Sequence, residues 1–435
     1  MICNSYELTS IVKGKLLVDF LYNINNISTN SKDIKESCLF IPLIGNKYNG
    51  NDFINSIIPK VSLISKNYKY KKEIIKYCLK NKICLIEVKD TLKSLQTLAG
   101  YYINKKNIFI IGITGSIGKT SMKNILTKVL SSNYKVISSK GNMNNHIGVP
   151  LTILSIKDED ICILEMGMNH KSELSKLVKL ARPNIRIITS IGSSHIGNLG
   201  SIRNILKAKL EIGKYMKKGD LLIVNATNSY LDKITKYNPL KIKDEDYKVN
   251  NNYIYYQNSK YKINTKLSHL YPYIVMSINI AKQLKISNRK TRKSLMNIKL
   301  PNSRYQVIKK DNSIIINDAY NASYESMITG INNTIKLYPN KKINLILGDV
   351  LELGKYSEYY HRKIGSYLIR KRNNINKIYL VGNNVKYIKE LIKDSTIIKK
   401  EELIKLLTNN LNREVYYFKA SNSIGLEEVV KNIIE

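Results

Sequence analysis

The chain has 435 residues, with 71 Lys and Arg against 33 Asp and Glu, a formal net charge of +38 and 43% hydrophobic residues. That apolar share excludes wholesale disorder. The most apolar runs, 108–113 and 343–347, fall far short of the roughly 18 residues of a membrane span. Cys3, Cys38, Cys78, Cys84 and Cys162 form no CxxC pair, which argues against a zinc ribbon and against a disulfide framework. No signal-peptide pattern opens the chain, so a reducing cytoplasm is the expected compartment. The lysines are scattered among Asn, Ile and 31 Tyr, a mixture that A/T-rich codons give to any protein. Such a charge would still draw in an anionic substrate.

Residues 1–90 read as a small mixed α/β domain. Short apolar runs at 38–42, 61–64 and 83–88 have strand length, and the first runs into the turn-rich stretch 45–50. A helix from about 91 to 103 opens a second region, 91–300. There, strands at 108–113, 161–164, 185–189 and 221–224 alternate with helical stretches at 119–130, 172–180 and 201–216. Strand and helix in turn predict a parallel sheet with helices on both faces. The Asn-, Tyr- and Lys-rich stretch 244–266 reads as a β-hairpin insertion, and a helix at 274–284 closes the region. Pro-Asn-Ser-Arg at 301–304 reads as a hinge. Residues 301–435 return to an α/β pattern, with strands at 314–317, 343–347, 378–381 and 415–418. The expected fold is α/β in three domains: a small mixed domain, a central parallel-sheet ATPase domain and a Rossmann-like C-terminal domain.

Gly112-Ile-Thr-Gly-Ser-Ile-Gly-Lys-Thr120 carries the strongest chemical signal. It follows a strand and opens a helix, where backbone N–H groups can face phosphates. Thr114, Gly115, Ser116, Ile117, Gly118, Lys119, Thr120 and Ser121 form the candidate nucleotide-binding set. Lys119 would reach the β- and γ-phosphates, and the Thr120 hydroxyl would ligate Mg²⁺. Five residues rather than four separate Gly112 from Gly118, so the loop is a variant. Glu165 ends the strand after the loop, where a carboxylate is either a Mg²⁺ ligand beside Thr120 or a helix cap. His195 follows another strand and is either structural or a ligand.

The variant loop resembles that of the Mur ligases and their folylpolyglutamate synthase relatives. Six further segments are similar to the branch that adds D-alanyl-D-alanine, and they stand in order. They are Asn142-Met-Asn-Asn-His-Ile-Gly-Val-Pro150, Glu165-Met-Gly-Met-Asn-His170, Thr189-Ser-Ile-Gly-Ser-Ser-His195, Lys207-Ala-Lys-Leu-Glu-Ile212, Asn317-Asp-Ala-Tyr-Asn-Ala322 and Leu347-Gly-Asp-Val-Leu-Glu-Leu-Gly354. The stretch 28–54 is similar to that branch's UDP-sugar-binding domain.

The resemblance implies an ATP-dependent ligase joining D-alanyl-D-alanine to UDP-MurNAc-tripeptide through an acyl phosphate, with the dipeptide on the side of the 301–435 domain. It implies two Mg²⁺ ions, one at Thr120 and Glu165, the other at His195 and a carbamylated Lys209. Lys207 competes for that last role, but the family's Ala-Lys-x-Glu-Ile pattern selects Lys209. Arg304 is implied to reach the ATP phosphates when the third domain closes, and Asp318 to lie near the ribose. Asn142, Asn144, Asn145, Ser31 and Asn321 are the implied substrate contacts. A monomer without nucleic-acid partner is expected.

This chain departs from the family at several points. Asn30-Ser31-Lys32 stands for Asp-Ser-Arg, and Ser323-Tyr324 for Asn-Pro. Tyr273-Ile-Val-Met-Ser277 stands for the His-Asn-Val-x-Asn near the adenine, and Asn422 for an arginine. Two other readings start from the same loop: another ligase of the Mur or folylpolyglutamate type, and a nucleic-acid-dependent ATPase suggested by the charge.

Overall fold

The computed structural model describes residues 1–299, 302–408 and 411–435. Three sheets organise them. The first has the order Lys15–Val18, Cys84–Val88, Val61–Ser65, Cys38–Phe40, Asn26–Ser28, with only the first pair antiparallel. The helix Thr91–Lys105 then leads into the central sheet.

That sheet has six parallel strands in the order Leu240–Ile242, Leu221–Asn225, Ile185–Ile188, Phe109–Thr114, Ile161–Glu165, Val136–Ser138. Its middle strands are apolar nearly throughout because helices cover both faces. The helix Lys119–Leu130 buries Met122, Ile125, Leu126 and Val129, a spacing that makes one apolar stripe. From Phe109–Thr114 the chain builds first toward one edge and then toward the other. Such a reversal opens a crevice at the strand ends, the usual ligand position in an open α/β sheet.

The third sheet has the order Gln306–Lys310, Ser313–Asn317, Val415–Lys419, Ile343–Gly348, Ile375–Val381, Thr396–Ile397, antiparallel only at its first pair. Neighbours along its strands feed different cores. Ile316 and Tyr417 face the large core shared with the central domain, while Ile315, Tyr416 and Phe418 face a second core. Among the described residues, no helix is long and apolar enough to cross a membrane.

Two expectations need correction. The 244–266 insertion is not a hairpin but three antiparallel strands, Tyr247–Asn250, Tyr253–Tyr256 and Ser259–Lys262. Its second turn is Gln257-Asn258, both at positive φ, which supports a tight two-residue connection without the glycine that usually signals one. The expected helix 201–216 stops at Lys209 and tightens into a 3₁₀ turn, Leu210–Gly213. There Gly213 lies against the Tyr237 ring, where a β-carbon would come within 2.3 Å. Of the expected hinge 301–304, Pro301 lies outside the described residues, and Ser303 is buried under the third sheet.

Candidate active site

A cleft of about 1780 Å³ runs along the loop ends of the central sheet and is closed from above by the third domain. The phosphate loop is its floor. Gly118 sits at φ +84° against Tyr273, where a β-carbon would lie 2.1 Å from the phenol oxygen. Only glycine tolerates both the conformation and the approach. Lys119 Nζ donates to the Gly115 carbonyl (2.8 Å), curling over the loop. The Thr114 hydroxyl donates to the Met166 carbonyl and stitches the loop to the neighbouring strand. Two loop N–H groups expected to face phosphate are engaged within the protein: Ser116 N–H donates to the Ser190 carbonyl and Ile117 N–H to the Ser190 hydroxyl. This is a correction, and it makes Ser190 a clamp on the loop. Ser121, the third residue of the helix Lys119–Leu130, lines the cleft.

Glu165 is buried at the end of its strand and fully engaged. Thr120 Oγ1 donates to its Oε2 (2.8 Å) and Asn144 Nδ2 to its Oε1 (3.1 Å). Its own N–H donates to Ser139 Oγ, and the Lys123 ammonium donates to the Ser139 carbonyl. Loop hydroxyl, strand-end carboxylate and asparagine loop thus meet at one carboxyl group. Asn142 and Asn145 also line the cleft, although Asn145 Oδ1 accepts from the N–H groups of Ile147 and Gly148 where the helix Gly148–Leu154 begins.

Lys209 is fully buried, and its Nζ has no hydrogen-bond partner among the described residues. Burial pushes it well below the ordinary lysine range, the charge of Lys119 pushes the same way, and Glu165 opposes them. Lys207, two residues earlier, is exposed. Lys119 is lowered too, chiefly by desolvation and further by Arg304, with Glu165 and Glu352 pulling it back up.

The third domain forms the opposite wall. Arg304 stacks on Tyr320, with the guanidinium 4.1 Å from the ring centre, and lines the cleft facing the phosphate loop. Asp318 Oδ2 accepts from Tyr417 and from Lys419 (2.7 Å), and its Oδ1 from the Tyr305 N–H (3.0 Å). Asn321 lines the cleft and its carbonyl accepts from Lys419. His195 faces this wall: its Nδ1 lies 2.7 Å from Glu352 Oε2, an ion-pair contact without the alignment of a hydrogen bond. The pairing draws the Glu352 carboxyl below its usual range. Glu325 accepts from the Ser193 N–H and hydroxyl (2.7 and 2.8 Å).

The structure therefore gathers Thr120, Glu165, Asn144, Lys119 and Arg304 around one space, with Lys209 buried within reach of their charges. Ser31 stands apart, in a first-domain turn that does not line the cleft. Sequence reading gave no role to Glu325, Glu352 or Ser190. Glu352 lies inside a quoted segment, but its aim at His195 comes from a backbone turned to φ +63°.

A Mur ligase middle domain matches residues 113–289, and a Mur ligase glutamate ligase domain matches 303–421. The UDP-N-acetylmuramoyl-tripeptide–D-alanyl-D-alanine ligase of Bacillus subtilis is 32% identical, covering 95% of this chain and 93% of its own length. The enzyme of that name from Rickettsia prowazekii is 33% identical over 99% of each. The crystal structure of MurF from Acinetobacter baumannii shares the fold at a TM-score of 0.87, with 21% identity, 99% of this chain and 98% of that one. MurF from Thermotoga maritima, solved in complex with ADP, overlays at 0.78 with 23% identity, covering 94% and 97%.

Proposed function

This chain belongs to the Mur ligase family, and we infer that it is the ATP-dependent ligase that joins D-alanyl-D-alanine to UDP-N-acetylmuramoyl-tripeptide in peptidoglycan precursor synthesis. The terminal carboxylate of the tripeptide takes the γ-phosphoryl group of ATP. The dipeptide amine then attacks the acyl phosphate and phosphate leaves. No protein nucleophile is needed, so the protein positions reactants and neutralises charge. The observation that carries the reading is the meeting of floor and wall: Lys119 and the Thr120–Glu165 pair lie across one cleft from Arg304. Lys119 and Arg304 approach the transferred group from opposite sides. Asn142, Asn144, Asn145 and Asn321 offer amide groups to the peptide substrates, and Ser31 is assigned to the UDP-sugar side. The cytoplasm, which holds ATP and soluble precursors, is the matching compartment.

The residues present fit Mg²⁺. Thr120 and Glu165 supply hard oxygen ligands, and Mg²⁺ keeps most of its shell for water and phosphate oxygens. When bound, the ion neutralises charge on the phosphates. Lys209 fits the carbamate reading: a buried amine without a partner, held toward its neutral form, can add CO₂ with loss of a proton. With His195 it would then hold a second ion.

Phosphate release with UDP-MurNAc-tripeptide, with and without D-alanyl-D-alanine, tests the activity, and release independent of the dipeptide would sink it. Lys209→Ala should lose on the order of 10²-fold in turnover and recover in part with a short-chain carboxylic acid in the buffer. Full activity of the variant without rescue would overturn the carbamate assignment.

A further inference from the structure

Glu352 reaches across the cleft from a turn, 349–353, between the strand Ile343–Gly348 and the 3₁₀ turn Gly354–Tyr356. Its carboxyl meets His195, and its carbonyl accepts from the Gly197 N–H at 3.0 Å. Residues 350–353 also line a small cavity of about 60 Å³ together with Ser116, Lys119 and His195. The turn does not hold this course on local preference. Glu352 sits at φ +63°, a conformation unfavourable to a residue with a β-carbon, so surrounding contacts must impose it. Two side chains from other elements hold the N–H groups just before it. Leu351 N–H donates to the Ser421 hydroxyl at 2.9 Å, and Val350 N–H donates to His361 Nε2 at 3.2 Å.

We propose that His361 is a positioning residue of the ligase: through Val350 it fixes the turn that carries Glu352 to His195 and Gly197, and so sets how the third domain meets the central one. The inference rests on the ligase activity proposed above. His361 lies near the start of the helix Ser357–Arg370 and is fully buried. Its Nδ1 lies 2.7 Å from the Ser357 carbonyl. A carbonyl can only accept, so the ring proton sits on Nδ1 and Nε2 carries the lone pair that Val350 uses. Burial lowers the imidazole below its ordinary range, which keeps the ring neutral and this tautomer in place near pH 7. One nitrogen thus ties the ring to its own helix, and the other leaves the helix to take hold of the turn. Val350 is buried as well. Without the acceptor its N–H would be cut off from water, and the turn would have to shift to satisfy it. Glu352 lies two residues further on and would shift with it.

The two nitrogens can be separated by substitution. A Gln side chain reaches about as far as Nε2, so His361→Gln can still accept from Val350. An Asn side chain reaches about as far as Nδ1, so His361→Asn keeps the bond to Ser357 and releases the turn. Each variant, alone and combined with Glu352→Ala, is assayed by phosphate release with ATP, UDP-MurNAc-tripeptide and D-alanyl-D-alanine, and ligand-free by solution scattering. His361→Asn should raise KM for the UDP-sugar about fivefold, the effect of losing one hydrogen bond, with kcat little changed and the radius of gyration enlarged. His361→Gln should stay within about twofold of the wild type. On top of Glu352→Ala, His361→Asn should raise KM by less than about twofold, while it lowers the denaturation midpoint alike in both backgrounds. A histidine that only filled the core would move stability without this dependence on Glu352. The proposal falls if His361→Asn keeps the wild-type KM and scattering profile, or if His361→Gln loses as much as His361→Asn. It also falls if the rise of about fivefold persists in the Glu352→Ala background. Should His361→Asn not melt cooperatively, His361→Gln decides: a wild-type KM supports the acceptor role, and a rise of more than about twofold overturns it. Dipeptide-independent phosphate release by the wild type would instead overturn the ligase reading, and the scattering profiles would then decide the role of His361 by themselves.

Discussion

The floor of the cleft and its wall are built differently. On the floor, Lys119 reaches back four residues to Gly115, and Thr120 meets Glu165 on an adjoining strand of the same sheet. The wall is tied to the floor by partners far apart in sequence: Glu325 with Ser193, Glu352 with His195, and the Glu352 carbonyl with the Gly197 N–H. Gly197 and Gly354 touch backbone to backbone, since a β-carbon on Gly197 would lie 2.8 Å from the Gly354 nitrogen. The floor is thus preformed by one domain. The wall is placed by carboxylates gripping a loop of another domain, and such grips can open.

The largest effect should come from the floor. Lys119→Ala should lower turnover by on the order of 10³-fold or more at saturating ATP, since the charge moving between phosphates loses its fixed partner. A variant retaining a tenth of wild-type turnover would remove the loop from its assigned role.

Next is the frame that presents the wall. Buried Asp349 accepts from the N–H groups of Asn383, Asn384 and Val385 and from the Asn384 amide. Asp349→Ala should cost about 3 kcal/mol of stability by leaving those donors unpaired. Chemical denaturation measures this, and an unchanged midpoint would contradict it.

Gly118→Ala places a β-carbon against Tyr273 at a positive φ, and should weaken ATP binding by roughly tenfold or more while leaving the wall contacts intact. Restoration by Tyr273→Ala would be partial, because the backbone strain remains.

The smallest effect belongs to the grip. Glu325→Ala should shift the ligand-free protein toward a larger radius of gyration in solution scattering, and ATP with the UDP-sugar should compact it again. Catalysis should fall only several-fold, chiefly through KM, because no reacting group is lost. An identical scattering profile for variant and wild type would mean that the wall stays in place without this contact.

Local pattern made the floor legible. The loop with its glycines and Gly-Lys-Thr, the apolar strands of the central sheet and the helix Lys119–Leu130 follow from side-chain period and backbone sterics, which act over a few residues. Short edge strands such as Val136–Ser138, Leu240–Ile242 and Thr396–Ile397 escaped that reading. At two or three residues they show no alternation to detect, and their partners define them.

By itself the sequence determined the α/β alternation; its Gly-rich loop made a phosphate site and Glu165 candidates because they are encoded in contiguous motifs, and its resemblance to a family added Lys209 and Arg304. Tertiary structure alone decided their surroundings. It buried Lys209 without a partner, turned Glu352 onto His195 and engaged the loop's N–H groups with Ser190. Burial, charge and tautomer are properties of what a side chain meets, and the residues it meets here come from distant parts of the chain.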